Sequence, residues 1–407
     1  MQSTHLLSKN IATIILAGGQ GTRLHPLTQS RCKPAVCFAG KHRLIDVPIS
    51  NSLNAGIHHI FVISQPFSAH LGKHLATSYP KTFDKQGHLE MLCPRDTHGF
   101  LGTADAVRKN RATIENLPID YVLILSGDQL YHMNLSDMIQ VAQKTHADLV
   151  IATLLVKERE AKRMGLLQVD AHHQIVDFFE KPSDPATLQR FMVPSHDDQY
   201  LGSMGIYVFR KQALLDLLKE DGNDFGKDLI PKKIQDKTSY AFIYDGYWED
   251  IGTVTSYYDA NLALIKKQEG LHLHKLWHPL YHQPNHLASP YVHDTHIQDS
   301  LLRPGSLIKA KTIAGSIIGT QSHIAEGTII EDSIVMGHHQ PRTTSSYTIG
   351  NNSFLRKVIV DEDAHIGNHV QLINEKGLMN YDGDGIFIRD GIMIVSSGTH
   401  IPDGFCL

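Results

Sequence analysis

Cysteine is scarce in this 407-residue chain: Cys32, Cys37, Cys93 and Cys406, none of them in a Cys-x-x-Cys pair. Four scattered thiols make no disulfide framework, and a reduced cytoplasm is the compartment expected. An excess of one charge is lacking as well. Lys and Arg number 38 against 42 Asp and Glu, a formal net charge of −4. That leaves no footprint for nucleic acid, so any anion site must be a local cluster. Apolar runs such as Tyr121–Leu125 are strand-sized and far too short to span a bilayer. Met1–Asn10 has no basic stretch leading into a long apolar one, so neither a signal peptide nor a membrane partner is expected. The 27 histidines include no His-Glu-x-x-His and no Cys/His spacing that suits zinc.

What is present is ordinary for a soluble globular chain, 42% hydrophobic and 20% charged, and long enough for two domains or three small ones. From Ile11 to about Leu264, strand-like runs (Ile11–Ala17, His59–Ser64, Tyr121–Ser126, Asp148–Val156) alternate with helix-like stretches near Ser68–Thr77, Thr103–Ile114 and Leu135–Thr145. Unbroken apolar strands alternating with helices predict a Rossmann-like α/β domain over residues 1–265, its mainly parallel sheet covered on both faces. Gly165–Val169 and Ile175–Phe179 read as an inserted hairpin. From Asp294 onward the rhythm changes. Ile318, Ile324, Ile330 and Met336 stand six apart, as do Phe354, Val360, Ile366 and Leu372, and Ile388 and Ile394. A six-residue period is the hexapeptide signature of a parallel β-helix over 294–407, against the plainer reading of short strands aligned by chance. Residues 266–293, rich in His, Pro and polar side chains, read as the linker.

Straight after the first strand comes Leu16-Ala17-Gly18-Gly19-Gln20-Gly21-Thr22-Arg23-Leu24. Glycines there let backbone N–H groups crowd round an anion, with a following helix N-terminus adding its dipole. The spacing is neither Walker A nor G-x-G-x-x-G, and alone it fits a ligand-free turn nearly as well. Arg23, Arg31 and Lys33 shift the balance, because three cations in eleven residues can meet a triphosphate; a solvated basic face is the alternative. Asp128, in Ser126-Gly127-Asp128, stands at the carboxyl edge of a strand, where open α/β sheets bind ligands, either as a helix cap or as a metal ligand. Asp250 could equally cap the helix starting near Thr253. Lys181, in Glu180-Lys181-Pro182 at the end of the hairpin, suits a surface ion pair as well as a phosphate contact.

Together, Leu16–Leu24, Pro26-Leu27-Thr28 and Lys33-Pro34-Ala35 resemble the opening of nucleoside-diphosphate-sugar pyrophosphorylases. Arg43–Asn51, Gly102–Val107, Asp224-Phe225-Gly226-Lys227-Asp228 and the tail to Ile401-Pro402 resemble the glucose-1-phosphate adenylyltransferase family within them. The likeness covers nearly the whole chain from residue 11. It implies a left-handed β-helix, a homotetramer, and adenylyl transfer from ATP to glucose 1-phosphate with Mg²⁺ as cofactor. By the same likeness, Arg23 and Lys33 meet the triphosphate, and Gly18, Gly19, Gly21, Thr22, Gly102 and Thr103 cradle the nucleotide. Asp128, a catalytic residue, shares the metal with Asp250, while Phe100, Gly165, Glu180, Lys181 and Ser203 contact the sugar phosphate. Other nucleotides (UTP, dTTP, GTP) and a non-catalytic regulatory subunit remain competing readings.

The chain also departs from the family. Gly99-Phe100-Leu101 stands where many bacterial members carry two aromatics, and Phe100 has no hydroxyl to offer. Ser30 occupies the position of an activator-binding lysine found in some relatives. The run Gly385–Ile392 is closer to plant and cyanobacterial members, which implies a small anionic effector and makes Arg389 the candidate to bind it.

Overall fold

The computed structural model describes residues 10–19, 21–66, 68–79, 87–94, 99–194, 198–266, 270–271, 273, 278–281, 287–338 and 347–407. Met1–Lys9, Gln20 of the glycine-rich loop and nearly half of the expected linker lie outside them.

Strand Ile11–Leu16 lies between Tyr121–Ser126 and His59–Ile63, parallel to both. Its alternate side chains feed two cores: Ile11 and Ile15 enter one, Ala12 and Ile14 the other. A strand buried on both faces needs this unbroken apolar run, which is why it was readable in the sequence. The sheet order continues from Ile175–Glu180 through Gly165–Val169 and Gln199–Arg210 to Tyr121–Ser126, then Ile11–Leu16, His59–Ile63 and His88–Leu92. Leu149–Lys157 pairs with Gln199–Arg210 and carries Ser239–Ile243. Strand Gln199–Arg210 runs antiparallel to each of its neighbours, as Ile175–Glu180 does to its own, so the other seven strands share one direction and the sheet is mainly parallel.

The helical stretch expected over Thr103–Ile114 is two helices, Thr103–Lys109 and Arg111–Glu115. Asn110 divides them: its side-chain Nδ2 donates to Ala106 O at 2.8 Å, competing with the backbone ladder.

The C-terminal region is a parallel β-helix. Leu301–Leu302 stacks on Ile317–Ile318, then on Ile334–Val335 and Val358–Val360, each pairing parallel with the next. Two further faces stack in the same way, among them Thr312–Ala314 on Ile329–Glu331. The six-residue rhythm holds at Ile318, Ile324 and Ile330, all in the coil interior, but the next place belongs to Val335, and Met336 joins the catalytic-domain core instead. Likewise Leu355, not Phe354, points inside. The third run is only half coil: Ile392–Val395 stacks parallel on Val358–Val360 and continues the β-helix, whereas Ile388 lies in a strand that folds back on it. Ile386–Arg389 and Ile392–Val395 form an antiparallel hairpin, with Asn380–Asp382 added at its edge.

One face of the β-helix is buried against the catalytic domain. Ile334, Met336, Ile359, Ile392 and Ile394 belong to the same core as Phe38 and Tyr257. Arg303 Nε donates to Ala39 O at 2.6 Å, and the Thr320 N–H to Gly40 O at 2.9 Å. Arg31 adds a bidentate ion pair to Asp361 and a bond to Glu362, which Arg43 also contacts at 2.8 Å. Arg31 was expected near a triphosphate. The structure instead spends it on the domain interface, where two buried carboxylates require a partner.

Candidate active site

Three parallel strands end at one edge of the sheet, and their chain continuations form the floor of a cavity of about 580 Å³. Leu16 leads into Ala17-Gly18-Gly19, Ile63 into Ser64-Gln65, and Ser126 into Gly127-Asp128. They are tied side by side: Ala17 N–H donates to Ile63 O and Gly127 N–H to Leu16 O, at 2.8 and 2.9 Å.

The glycine-rich loop turns back at Gly21, whose φ of 64° lies in the left-handed region. A Cβ there would also come within 2.9 Å of Lys33 Cβ, so this position requires glycine on both counts. The turn is held by Thr28 Oγ1 donating to Gly21 O at 2.9 Å. Lys33 opens the short 3₁₀ turn Lys33–Ala35, where Pro34 presets the backbone. Its Nζ meets Asp128 Oδ2 at 2.6 Å, and Ser126 Oγ donates to Asp128 Oδ1 at 2.5 Å.

Asp250 reaches the same place from 122 residues away. Trp248–Asp250 pairs antiparallel with Gln129–Tyr131, setting Asp250 opposite Gln129, and Ile251 N–H donates to Asp128 O at 3.2 Å. A two-stranded ribbon thus joins the two acids. Burial, with Asp128 adding to it, raises the Asp250 carboxyl above its ordinary range, while Lys33, Arg23 and Arg163 pull it down. Beside it, burial and the Asp250 charge push Glu249 up to about 7. Carboxylates that repel one another in a half-buried cleft are relieved by a divalent cation. Two of them, with water and phosphate oxygens completing the shell, suit Mg²⁺. Asp128 and Asp250 fit that ion.

On the opposite wall, Gly165 pairs with Glu180 at the mouth of the hairpin, and Lys181 N–H donates to Met164 O at 3.0 Å. Lys181 Nζ bonds Glu180 Oε1 at 2.7 Å, with the lysine side chain 62% exposed. Ser203 falls where the register of Gln199–Arg210 breaks between Ser203 and Tyr207. Such an irregularity beside a site re-aims side chains, and Gln129 Nε2 fixes this one by donating to Met204 O at 2.8 Å.

The roof joins two more motifs. Ala104 and Asp105 N–H donate to Asn223 O, and Thr103 Oγ1 both donates to Asp224 Oδ2 and accepts from Phe225 N–H. A Cβ on Gly102 would stand 2.3 Å from Asn223 O, so the close approach of these segments excludes any side chain there. Phe100 is buried and clamped by Gln65, which accepts from its N–H and donates to its carbonyl.

The cavity therefore brings together Gly18, Gly19, Lys33, Phe100, Gly102, Thr103, Asp128, Gly165, Glu180, Lys181, Ser203 and Asp250. Gly21 and Thr22 are not among its lining residues. Arg23 approaches Asp250 from outside the lining, its Nη2 3.5 Å from where a Gly252 Cβ would stand. Arg389 is in the β-helix hairpin, where its guanidinium donates to Tyr381 O and Asp382. Gln65, Gln129, Arg163 and Asp224 also line the cavity without having been singled out. Gln65 was findable, since it follows a parallel strand at the ligand-binding edge. Arg163 sits in an unremarkable turn and gave no sequence signal.

Residues 12–267 match the model of the nucleotidyl transferase family, and residues 285–406 match that of the GLGC left-handed parallel β-helix domain. The two in this order are the signature architecture of glucose-1-phosphate adenylyltransferases. Nucleotidyl transferases act on nucleotides and sugar phosphates and commonly use Mg²⁺. No helix among the described residues is long and apolar enough to cross a membrane.

Proposed function

The chain belongs to the nucleotidyl transferase family, and we propose that it is a glucose-1-phosphate adenylyltransferase, joining the AMP part of ATP to α-D-glucose 1-phosphate and releasing pyrophosphate. This is the activating step of glycogen or starch synthesis. The observation that carries the reading is the convergence of Lys33, Asp128, Asp250, Glu180 and Lys181 on one cavity, at the edge where the glycine-rich loop begins.

No nucleophilic triad is required. A sugar phosphate is largely a dianion at neutral pH, its second pKa being about 6, and it can attack the α-phosphorus of ATP without a general base. The protein must align the reactants and neutralise the charge that develops on the leaving pyrophosphate. Lys33 and Arg23 serve the triphosphate, with backbone N–H groups of Gly18 and Gly19 beside them. Asp128 and Asp250 would hold Mg²⁺, which when bound would supply charge neutralisation to the phosphates. Lys181 holds the acceptor phosphate and Glu180 the sugar hydroxyls, with Ser203 and Gly165 at the same wall. Phe100, lacking a hydroxyl, packs.

An anionic effector is assigned to the β-helix hairpin at Arg389, and assembly of four copies to the β-helix domain. Phe387, under the Arg389 guanidinium at 5.6 Å, meets the His25 ring at 5.3 Å, two residues from Arg23. That contact supports a regulatory link to the loop.

The test is pyrophosphate release from glucose 1-phosphate with each of ATP, UTP, dTTP and GTP, repeated with 3-phosphoglycerate and phosphate. ATP is expected to exceed the others by about tenfold or more in kcat/KM, a difference of ~1.4 kcal/mol. Preference for another nucleotide transfers the reading to that pyrophosphorylase, and no turnover with any of the four overturns it.

A further inference from the structure

Four carboxylates line the cavity, Asp128, Glu180, Asp224 and Asp250, against three cations, Lys33, Arg163 and Lys181. Lys33 is paired with Asp128 and Lys181 with Glu180. Arg163 is different. Among the described residues its guanidinium makes no hydrogen bond and no ion pair.

The backbone beneath it is fixed. Arg163 N–H donates to Glu160 O at 2.9 Å and Met164 N–H to Ala161 O at 3.2 Å, closing the turn after the helix Glu158–Ala161. The next residues, Met164 and Gly165, form the wall that carries Lys181. From that wall the side chain reaches toward Asp250: a Cβ on Gly252 would stand 3.6 Å from Arg163 Nη2 and 3.5 Å from Arg23 Nη2. Two guanidinium ends thus gather where Asp250 and the ribbon meet. An exposed arginine gains little stability by leaning into a cleft beside another cation. A planar fork of donors gains much there once a phosphate enters, because two oxygens can be held at once.

We propose that Arg163 is a further substrate-contacting residue, binding the phosphate of the sugar phosphate where it meets the nucleotide. The assignment rests on the adenylyl-transfer reading above. Lys33 and the glycine-rich loop occupy the nucleotide side of the cavity, and Arg163 is continuous in chain with the acceptor side. After transfer, the same phosphate is the sugar-linked phosphate of ADP-glucose. Arg163 therefore holds the product and the acceptor, and contributes little to ATP.

The experiment compares Arg163→Ala and Arg163→Lys with the parent, in steady-state kinetics and in calorimetric titration with ADP-glucose and with ATP. Expected for Arg163→Ala are a KM for glucose 1-phosphate and a Kd for ADP-glucose each weakened about tenfold or more, with both ATP constants within about twofold. Arg163→Lys, keeping the charge but not the fork, should recover part of the loss. Glucose 1-phosphate and ADP-glucose constants within about twofold of the parent, or an equal loss for ATP, overturn the assignment. A parent that releases no pyrophosphate with any nucleotide overturns the adenylyl-transfer reading instead, whereas an active parent beside an unchanged Arg163→Ala overturns only the role of Arg163.

Discussion

Arg31 and Lys33 are separated by one residue and face two different clusters of opposite charge. Arg31 backs into the domain interface, where it and Arg43 bracket Asp361 and Glu362, all four buried. Lys33 points into the cavity, where it pairs with Asp128 while Asp250 stands nearby. In the interface each carboxylate has a guanidinium partner, and those carboxylates hold both arginines above their ordinary range despite burial. In the cavity Asp128 and Asp250 crowd each other, and burial raises Asp250 and, next to it on the ribbon, Glu249. A fold that needed only stability would not leave carboxylates repelling each other in a cleft. The interface cluster holds two domains together; the cavity cluster is arranged for a charge that arrives with the substrates.

The sharpest way to break this contrast is to alter one acid in the cavity. Asp128→Asn keeps the shape of the side chain and its place beside Lys33 but removes the charge. We expect kcat to fall about 1,000-fold, equivalent to ~4 kcal/mol of transition-state stabilisation, with the thermal midpoint nearly unchanged. Near-parental turnover in this variant would remove Asp128 from the mechanism and make the cavity cluster structural like the other.

The interface cluster should answer in the opposite way. Arg31→Ala leaves Asp361 and Glu362 buried with Arg43 alone, and breaking a buried pair by removing one partner costs about 3 kcal/mol or more. Calorimetry at pH 8 suits this test, because burial lifts Asp361 to about 6 even beside Arg31 and its charge is complete only above that. The thermal midpoint should drop by several degrees. The double change Arg31→Met with Asp361→Leu should regain much of the loss, since an apolar pair of similar volume needs no desolvation of charge. If Arg31→Ala left stability intact but abolished ATP binding, Arg31 would return to the triphosphate, where its sequence neighbourhood first put it.

The same contrast marks how far the sequence could be read. Strands such as Ile11–Leu16, buried on both faces, must be continuously apolar, and β-helix coils must repeat a small apolar unit, so both are written locally. The glycine at Gly21 is local too, because a left-handed turn tolerates little else. Pairings across the chain are not local. Nothing near Asp250 says that a ribbon carries it to Asp128, nothing near Arg31 says that Asp361 waits 330 residues away, and Arg163 is one arginine among several in a charged turn. Asp128 was legible at its strand edge as a cap or a metal ligand, but its partnership with Asp250 entered the reading through resemblance, and Arg163, standing in none of the motifs that carried the likeness, was missed. The last hexad held only in part for a related reason. The strand of Ile394 stacks on the coil at Val358–Val360, but Ile388, six residues before it, lies in the antiparallel arm of a hairpin, and a short turn between two strands produces the same spacing as a coil.

The smallest expected effect tests, by titration, the crowding of acids on the ribbon that carries Asp250. Burial, with Asp250 next in importance, places Glu249 at about 7 in the folded chain against 4.5 for an ordinary glutamate. A carboxyl raised on folding binds its proton more tightly in the folded state, so the stability it lends is full below about 4.5 and is lost as pH rises through about 7. Glu249 is still partly open to solvent, which reduces the swing to about 1–2 kcal/mol. Glu249→Gln imitates the protonated form and should abolish that loss: parent and variant should share a thermal midpoint near pH 4.5 and diverge by pH 8, with the variant the more stable. Parallel curves across this range would mean that Glu249 is ionised throughout, and that the ribbon beside the cavity does not crowd its acids.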